Sequence, residues 1–241
     1  DPVDPTINSP ENRLQHALHA RFVAALGERC TPGSRLIEIG CGGSRWLPYF
    51  HRSFGYDVAG MDYSATGLRR SQLILDKAGV PATIVEGDLF SPPSDMIEQF
   101  DVVTSFGVVE HFERTDHAVE ACARYLRPGG MMLTAVPTMR GPYGLVYRLL
   151  QPAVYRSHVP QSREALAKAH LDAGLRVVDC SYVLGMPTVL TRPAPEASAL
   201  RRVAFAMSSS YFWFERRGWG VPPNGMTSPY VLCVATKPKR Q

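Results

Sequence analysis

Arg35-Leu36-Ile37-Glu38-Ile39 reads as a short apolar strand that runs directly into Gly40-Cys41-Gly42-Gly43-Ser44, and apolar residues resume at Trp46, Leu47 and Phe50 with helical spacing. A strand that ends in a glycine turn and reopens as a helix is the starting unit of an α/β sheet. Glycine also leaves space beside the backbone that a side chain would fill, so a ligand can approach closely there.

The rest of the chain repeats this alternation. A helix capped by Ser9-Pro10 precedes the first strand, with Leu14, Leu18, Phe22 and Leu26 on one face and Gly27 at its end. After the glycine turn come a strand at Asp57 to Met61, a helix from Ser64 to Lys77 closed by Gly79, and a strand at Thr83 to Glu86. Phe100 to Ser105 is a fourth strand, Asp116 to Leu126 a helix ended by Pro128-Gly129-Gly130, and Met131 to Val136 a fifth strand. A helix at Arg163 to Ala173 and strands at Arg176 to Val183 and Tyr230 to Thr236 complete the pattern. The expectation is one α/β domain over 1–241: a doubly wound, mostly parallel seven-stranded sheet with helices on both faces. Residues 9–137 form its ligand-binding core, and the less regular stretches 138–162 and 185–229 are expected as lid insertions after strands 5 and 6.

Composition narrows the setting. At 241 residues and 45% hydrophobic, the chain can bury a full core. A net charge of +4, from 26 basic and 22 acidic residues, is too small to argue a nucleic-acid partner. Cys30, Cys41, Cys122, Cys180 and Cys233 are an odd number of scattered thiols without C-x-x-C spacing, as expected of a reduced, cytoplasmic protein. No apolar run reaches the roughly 20 residues that span a bilayer, and the acidic, proline-rich start does not read as an export signal. A small-molecule substrate, no nucleic acid, no membrane, and a monomer or homodimer are expected.

Two carboxylates sharpen the ligand. Asp62, about 20 residues beyond the glycine turn at the end of the second strand, is placed to accept hydrogen bonds from two ribose hydroxyls. Asp88, after the third strand, is placed to accept from an adenine amino group. A dinucleotide turn would carry a third glycine where Arg45 stands, and that side chain would crowd a pyrophosphate. The alternatives are plainer: a tight turn for Gly40 to Gly43, a helix cap for Asp62, and a turn residue for Asp88.

In order and spacing, Leu36-Ile37-Glu38-Ile39-Gly40-Cys41-Gly42-Gly43, Gly60-Met61-Asp62-Tyr63-Ser64, Glu86-Gly87-Asp88, Phe100-Asp101-Val102-Val103, Glu110-His111 and Leu126-Arg127-Pro128-Gly129-Gly130 resemble class I S-adenosylmethionine-dependent methyltransferases. The resemblance covers about the first 137 residues. It implies S-adenosylmethionine as cofactor, with Gly40 and Gly42 lining its methionine part, Asp62 on the ribose, Tyr63 packed on the adenine, Asp88 on the adenine amine, Ser105 near the methionine amino group, and Glu38 and Leu89 among the further cofactor contacts. Ser44 stands where the family often has another glycine. One RNA-methylating branch holds a metal with a Glu-x-x-Glu-His cluster; Gly107 replaces its first glutamate, so no metal is expected here.

Glu110 and His111 follow the fourth strand, at the edge where open α/β sheets bind ligands. Imidazoles titrate near about 6.5, so His111 is a candidate general base, against the alternative of a structural hydrogen bond. Acceptor choice falls to the lid stretches, where Tyr143, Tyr147, His158, Tyr211 and Trp213 are candidate substrate contacts, with Tyr155 and Trp219 nearby. They read equally well as the lid's own packing, and Arg140, Arg148 and Arg156 as a solvated face. The leading expectation is methyl transfer to a small molecule by in-line displacement, with the acceptor atom (O, N, S or C) open. A cofactor-binding regulatory module, a nicotinamide oxidoreductase and an RNA methyltransferase are the alternatives, separable by an acceptor panel, nucleotide competition and salt-dependent RNA retention.

Overall fold

The alternation of strands and helices closes into a single seven-stranded sheet of order β3-β2-β1-β4-β5-β7-β6. A computed structural model describes residues 4–27, 31, 33–186 and 199–240. The strands are β1 (Arg35–Ile39), β2 (Asp57–Asp62), β3 (Ala82–Glu86), β4 (Phe100–Phe106), β5 (Leu126–Pro137), β6 (Arg176–Val183) and β7 (Tyr230–Thr236). Neighbours from β3 to β5 pair in parallel, while β7 runs antiparallel to both β5 and β6. The order reverses between β1 and β4, which leaves a crevice at their carboxyl ends.

Strand alternation sorts the core into two layers. Leu36, Val58, Val102 and Leu133 face α1 (Arg13–Leu26), α2 (Trp46–Phe54) and α3 (Ala65–Ala78), packing on Leu14, Phe22, Phe50 and Leu75. Ile37, Ile39, Met61 and Val103 face the opposite side, where α4 (Thr115–Ala123) and α7 (Arg163–Asp172) contribute Val119, Cys122 and Leu166. Local chemistry sets several ends. Ser64 caps α3 by accepting from the Gly67 N–H at 3.1 Å, Ser162 caps α7 through Ala165 N–H at 3.1 Å, and Gly79 closes α3 in the left-handed region.

Three boundaries differ from expectation. Asn12, not Ser9, is the N-cap of α1, and Ser9 Oγ accepts from the Asn12 N–H one turn earlier. Helix α4 stops at Ala123, and β5 starts at Leu126, running through Pro128-Gly129-Gly130. Gly129 N–H finds its acceptor on Lys237, so these residues join the sheet instead of merely ending a helix. The two irregular stretches also contain helices: α5 (Gly141–Leu150), α6 (Pro152–Arg156) and α8 (Ala199–Phe214). Prolines 142 and 152 lie in the first turns of α5 and α6, where their lack of an N–H is harmless. Part of the second stretch, 187–198, and Cys30 lie outside the described residues.

A buried histidine ties the sheet to α7. His170 is fully buried; its Nδ1–H donates to Leu166 O at 2.8 Å, and its Nε2 accepts from the Thr134 hydroxyl of β5 at 2.9 Å. Burial lowers its pKa to about 4. The unfolded chain therefore binds a proton that the folded chain refuses between about pH 6.5 and 4, and a displacement of that size corresponds to roughly 3 kcal/mol. Unfolding stability of the wild type is expected to fall as pH drops through that window. In denaturant titrations at pH 7 and 4.5, His170→Gln should lose markedly less stability on acidification than the wild type does.

Candidate active site

The glycine turn closes on its neighbours through contacts that exclude a side chain. Gly40 has φ of +79°, and its N–H and that of Cys41 both donate to Met61 O of β2, at 2.8 and 3.1 Å. A Cβ on Gly40 would lie 2.2 Å from Val108 Cγ2, in the loop that follows β4. Gly42 N–H donates to Asp62 Oδ2 at 2.8 Å, and Ser64 N–H to Asp62 Oδ1 at 2.8 Å. A Cβ on Gly42 would lie 2.8 Å from that same Oδ2. The turn, the end of β2 and the loop after β4 are thus one packed unit.

Beside the turn is a cavity of about 280 Å³ lined by Pro5, Gln15, Glu38, Gly40, Gly42, Gly43, Ser44, Arg45, Trp46 and Phe106. Glu38 is buried at its floor, where desolvation raises its pKa to about 8 against an opposing hydrogen bond donated by Ser44 Oγ. Ser44, the departure from the usual glycine, is therefore the partner of the cavity's buried acid. Gln15 Oε1 is buried without a hydrogen-bond partner. Pro5, Gln15, Trp46 and Phe106 were not singled out in the sequence. Trp46 and Phe106 adjoin recognised motifs, whereas Gln15 arrives from α1 and carries no local signal.

The expected ligand contacts divide. Asp62 is half-buried at the turn, and Tyr63 is 84% exposed beside it. Asp88 is exposed and accepts from Phe90 N–H at 3.0 Å, a turn-stabilising bond that leaves its other oxygen open; Leu89 is buried. Ser105 does not line the cavity. Odd and even positions of β4 face opposite sides: Phe106 reaches the cavity, while Ser105 is fully buried on the α4 side.

Past β4, Glu110 and His111 meet His158, which lies after α6. Glu110 is completely buried, neither carboxylate oxygen has a hydrogen-bond partner, and burial raises its pKa to about 8. His158 Nε2 lies 3.9 Å from Glu110 Oε1, and the His111 and His158 ring centroids are 4.4 Å apart. Burial and the neighbouring His111 lower the His158 pKa, against a hydrogen bond to Val154 O. Val159 N–H fixes this loop by donating to Glu110 O at 2.7 Å.

Tyr143 and Tyr147 pack together at 5.0 Å between centroids. Burial raises the pKa of Tyr230 to about 12, and the proximity of Tyr147 and Glu110 adds to it. Tyr230, at the start of β7, therefore belongs with these groups, a placement the sequence could not reveal. Tyr211 and Trp213 have different surroundings. Arg13 stacks over Tyr211 at 5.0 Å while forking onto Glu215, and the Tyr211 hydroxyl accepts from Val221 N–H at 2.7 Å. Trp213 is half exposed beneath Arg217. Tyr211 thus meets Arg13 of α1 and Trp213 meets Arg217, apart from the Tyr143–Tyr147 pair. Arg140, Arg148 and Arg156 are exposed.

A glycine turn at the β1/β4 reversal, with an acidic residue at the end of β2, defines a nucleoside-binding protein of the doubly wound α/β class. The chain belongs to the methyltransferase-domain family, whose pattern matches residues 12–179. It is 35% identical over 103 residues to the ubiquinone biosynthesis O-methyltransferase of Chelativorans sp. (strain BNC1), covering 43% of this chain and 40% of that protein. It is 36% identical over 107 residues to the enzyme of that name from Nitrobacter winogradskyi, covering 43% and 38%. The chain thus spans about two fifths of the length of these relatives. Among solved structures, geranyl diphosphate C-methyltransferase from Streptomyces coelicolor A3(2) superposes with a TM-score of 0.66 at 16% identity, covering 94% of this chain and 78% of that one. A putative methyltransferase bound to the Haloferax volcanii Trm112 activator gives 0.64 at 20%, covering 96% and 92%. At such identities the superpositions establish the fold. Among the described residues, no helix is long and apolar enough to cross a membrane.

The contact between Gly40 and Val108 is testable by a mutant cycle. Gly40→Ala combines left-handed strain with overpacking and is expected to cost roughly 2–4 kcal/mol of unfolding stability. Adding Val108→Ala should relieve the clash but not the backbone strain, so the two effects measured by denaturant unfolding will not add.

Proposed function

We propose that this protein transfers a methyl group from S-adenosylmethionine to a hydroxyl of a small, partly apolar molecule. The observation that carries the reading is Asp62, held across the glycine turn by the N–H groups of Gly42 and Ser64. An ionised carboxylate offers about four lone-pair sites, so two remain for the hydroxyls of a ribose. The adjoining cavity suits an amino-acid end: Arg45 can meet a carboxylate, and Gln15 Oε1 and Glu38 can accept from an ammonium. A pyrophosphate in the same place would face Glu38 and Asp62, which argues against a nicotinamide dinucleotide. Support for an oxygen acceptor comes from the two relatives named for O-methylation.

When bound, S-adenosylmethionine supplies a methyl group on a positively charged sulfur, and that charge disappears as the methyl leaves. The protein's contribution is alignment and exclusion of water. Asp62 anchors the ribose. Glu38, Gln15 and Arg45 fix the other end, so that the sulfur between them is held still. Tyr143, Tyr147 and Tyr230 provide apolar surface with polar tips for an acceptor beside Glu110. The Glu110, His111 and His158 cluster is the place for the proton-bearing atom of that acceptor.

Calorimetry with S-adenosylhomocysteine tests the reading. One ligand is expected per chain, and Asp62→Ala should weaken binding by roughly 10- to 100-fold, the range for hydrogen bonds to a charged group. A folded wild-type chain that binds NAD but not S-adenosylhomocysteine would overturn it. Cofactor binding without methylation across a broad panel of hydroxyl acceptors would leave a binding module.

A further inference from the structure

We propose that Glu110, His111 and His158 form a binding site for one divalent transition-metal ion, with open positions facing the acceptor. One ring nitrogen from each histidine and one Glu110 oxygen all lie within 4.8 Å of one another. Two atoms each about 2.1 Å from one metal are about 3.4 Å apart in tetrahedral geometry and about 3.0 Å apart at a right angle. The 3.9 Å between His158 Nε2 and Glu110 Oε1 is too long for a hydrogen bond and lies within about an ångström of those separations. A separation at the 4.8 Å limit closes to that geometry with roughly 1.5–2 Å of side-chain adjustment.

Both imidazoles are held in the form a metal requires. His111 Nδ1 lies 2.6 Å from Ser157 O and His158 Nδ1 lies 2.7 Å from Val154 O. A carbonyl oxygen only accepts, so each Nδ1 carries the proton and each Nε2 keeps its lone pair. Backbone carbonyls that fix ring orientation in this way are the usual outer support of metal-bound histidines. Glu110 supplies the independent observation: a fully buried carboxylate with neither oxygen hydrogen-bonded. In its ionised form such a group is costly unless it meets a cation, and no Lys or Arg is paired with it among the described residues. A hard cation such as Mg²⁺ keeps several waters and prefers oxygen donors. Two imidazoles and one carboxylate instead select Zn²⁺, Fe²⁺, Co²⁺ or Mn²⁺ and leave positions open for a small ligand.

Gly107 was expected to remove a metal from this corner. His158 changes that, because the loop after α6 folds back onto the end of β4 and contributes a donor from the other side. A Cβ at Gly107 would sit 3.6 Å from Glu110 Oε1, so the position is close to the carboxylate but supplies no ligand. The role of the ion rests on the methyl-transfer reading. An acceptor hydroxyl at an open position loses its proton to water, and its oxygen then attacks the methyl carbon while the carbon–sulfur bonding pair returns to sulfur.

The test uses the full-length chain stripped of metal with a chelator. Titration with Co²⁺ should give one equivalent of binding and visible ligand-field bands, displaced by Zn²⁺ but not by millimolar Mg²⁺. His158→Ala and the near-isosteric Glu110→Gln should each weaken Co²⁺ binding at least 10-fold, with circular dichroism and S-adenosylhomocysteine binding unchanged as proof of folding. Absence of Co²⁺ binding, or binding that both variants retain, would overturn the site. Failure of the methyl-transfer reading registers separately, as loss of S-adenosylhomocysteine binding in a chain that still takes up one Co²⁺.

Discussion

The carboxyl edge of this sheet depends on there being no side chain at Gly40. At that position the backbone is left-handed, two successive N–H groups reach one carbonyl of β2, and Val108 occupies the space a Cβ would need. Three segments therefore meet at a single residue: the turn after β1, the end of β2 and the loop after β4. The cavity around Glu38 and the Glu110 corner lie on either side of this contact. Shifting it would move the ribose anchor and the acceptor corner relative to each other, and in-line displacement tolerates little such movement.

Two buried carboxylates flank the contact, and their surroundings assign them different work. Glu38 receives a hydrogen bond from Ser44 and is walled by Gln15, Trp46 and Phe106. Neither Glu110 carboxylate oxygen has a hydrogen-bond partner among the described residues, and two histidines with supported rings stand next to it. The same residue type is thus hydrogen-bonded by a neighbouring hydroxyl in one place and set beside two imidazoles in the other. His170 shows the contrasting case of a buried titratable group whose two nitrogens are both paired, and whose role is to join α7 to the sheet.

Legibility followed the range of the interactions. The glycine turn, Asp62 and the Ser64 and Gly79 helix ends could be read directly because each is set by contacts within a few residues or by a fixed strand–turn–helix spacing. The Glu110-His111 pair was visible as a position but not as a cluster. Helices α5, α6 and α8 were hidden because glycine, proline and aromatic residues blur their apolar period. The resemblance puts Ser105 near the methionine amino group; in the fold Ser105 is buried on the α4 side of β4, and its neighbour Phe106 lines the cavity.

By itself the sequence determined the parallel α/β architecture, the glycine turn and the acidic residue at the end of β2. These follow from short-range backbone preferences and the period-2 and period-3.6 distribution of apolar residues. Only the tertiary structure decided which distant groups share a site. Gln15 from α1 reaches the Glu38 cavity, His158 folds back onto Glu110, and Tyr230 joins Tyr143 and Tyr147, while Tyr211 and Trp213 go elsewhere. Such meetings depend on how loops and helices dock on a finished sheet, and no local pattern along the chain encodes that geometry.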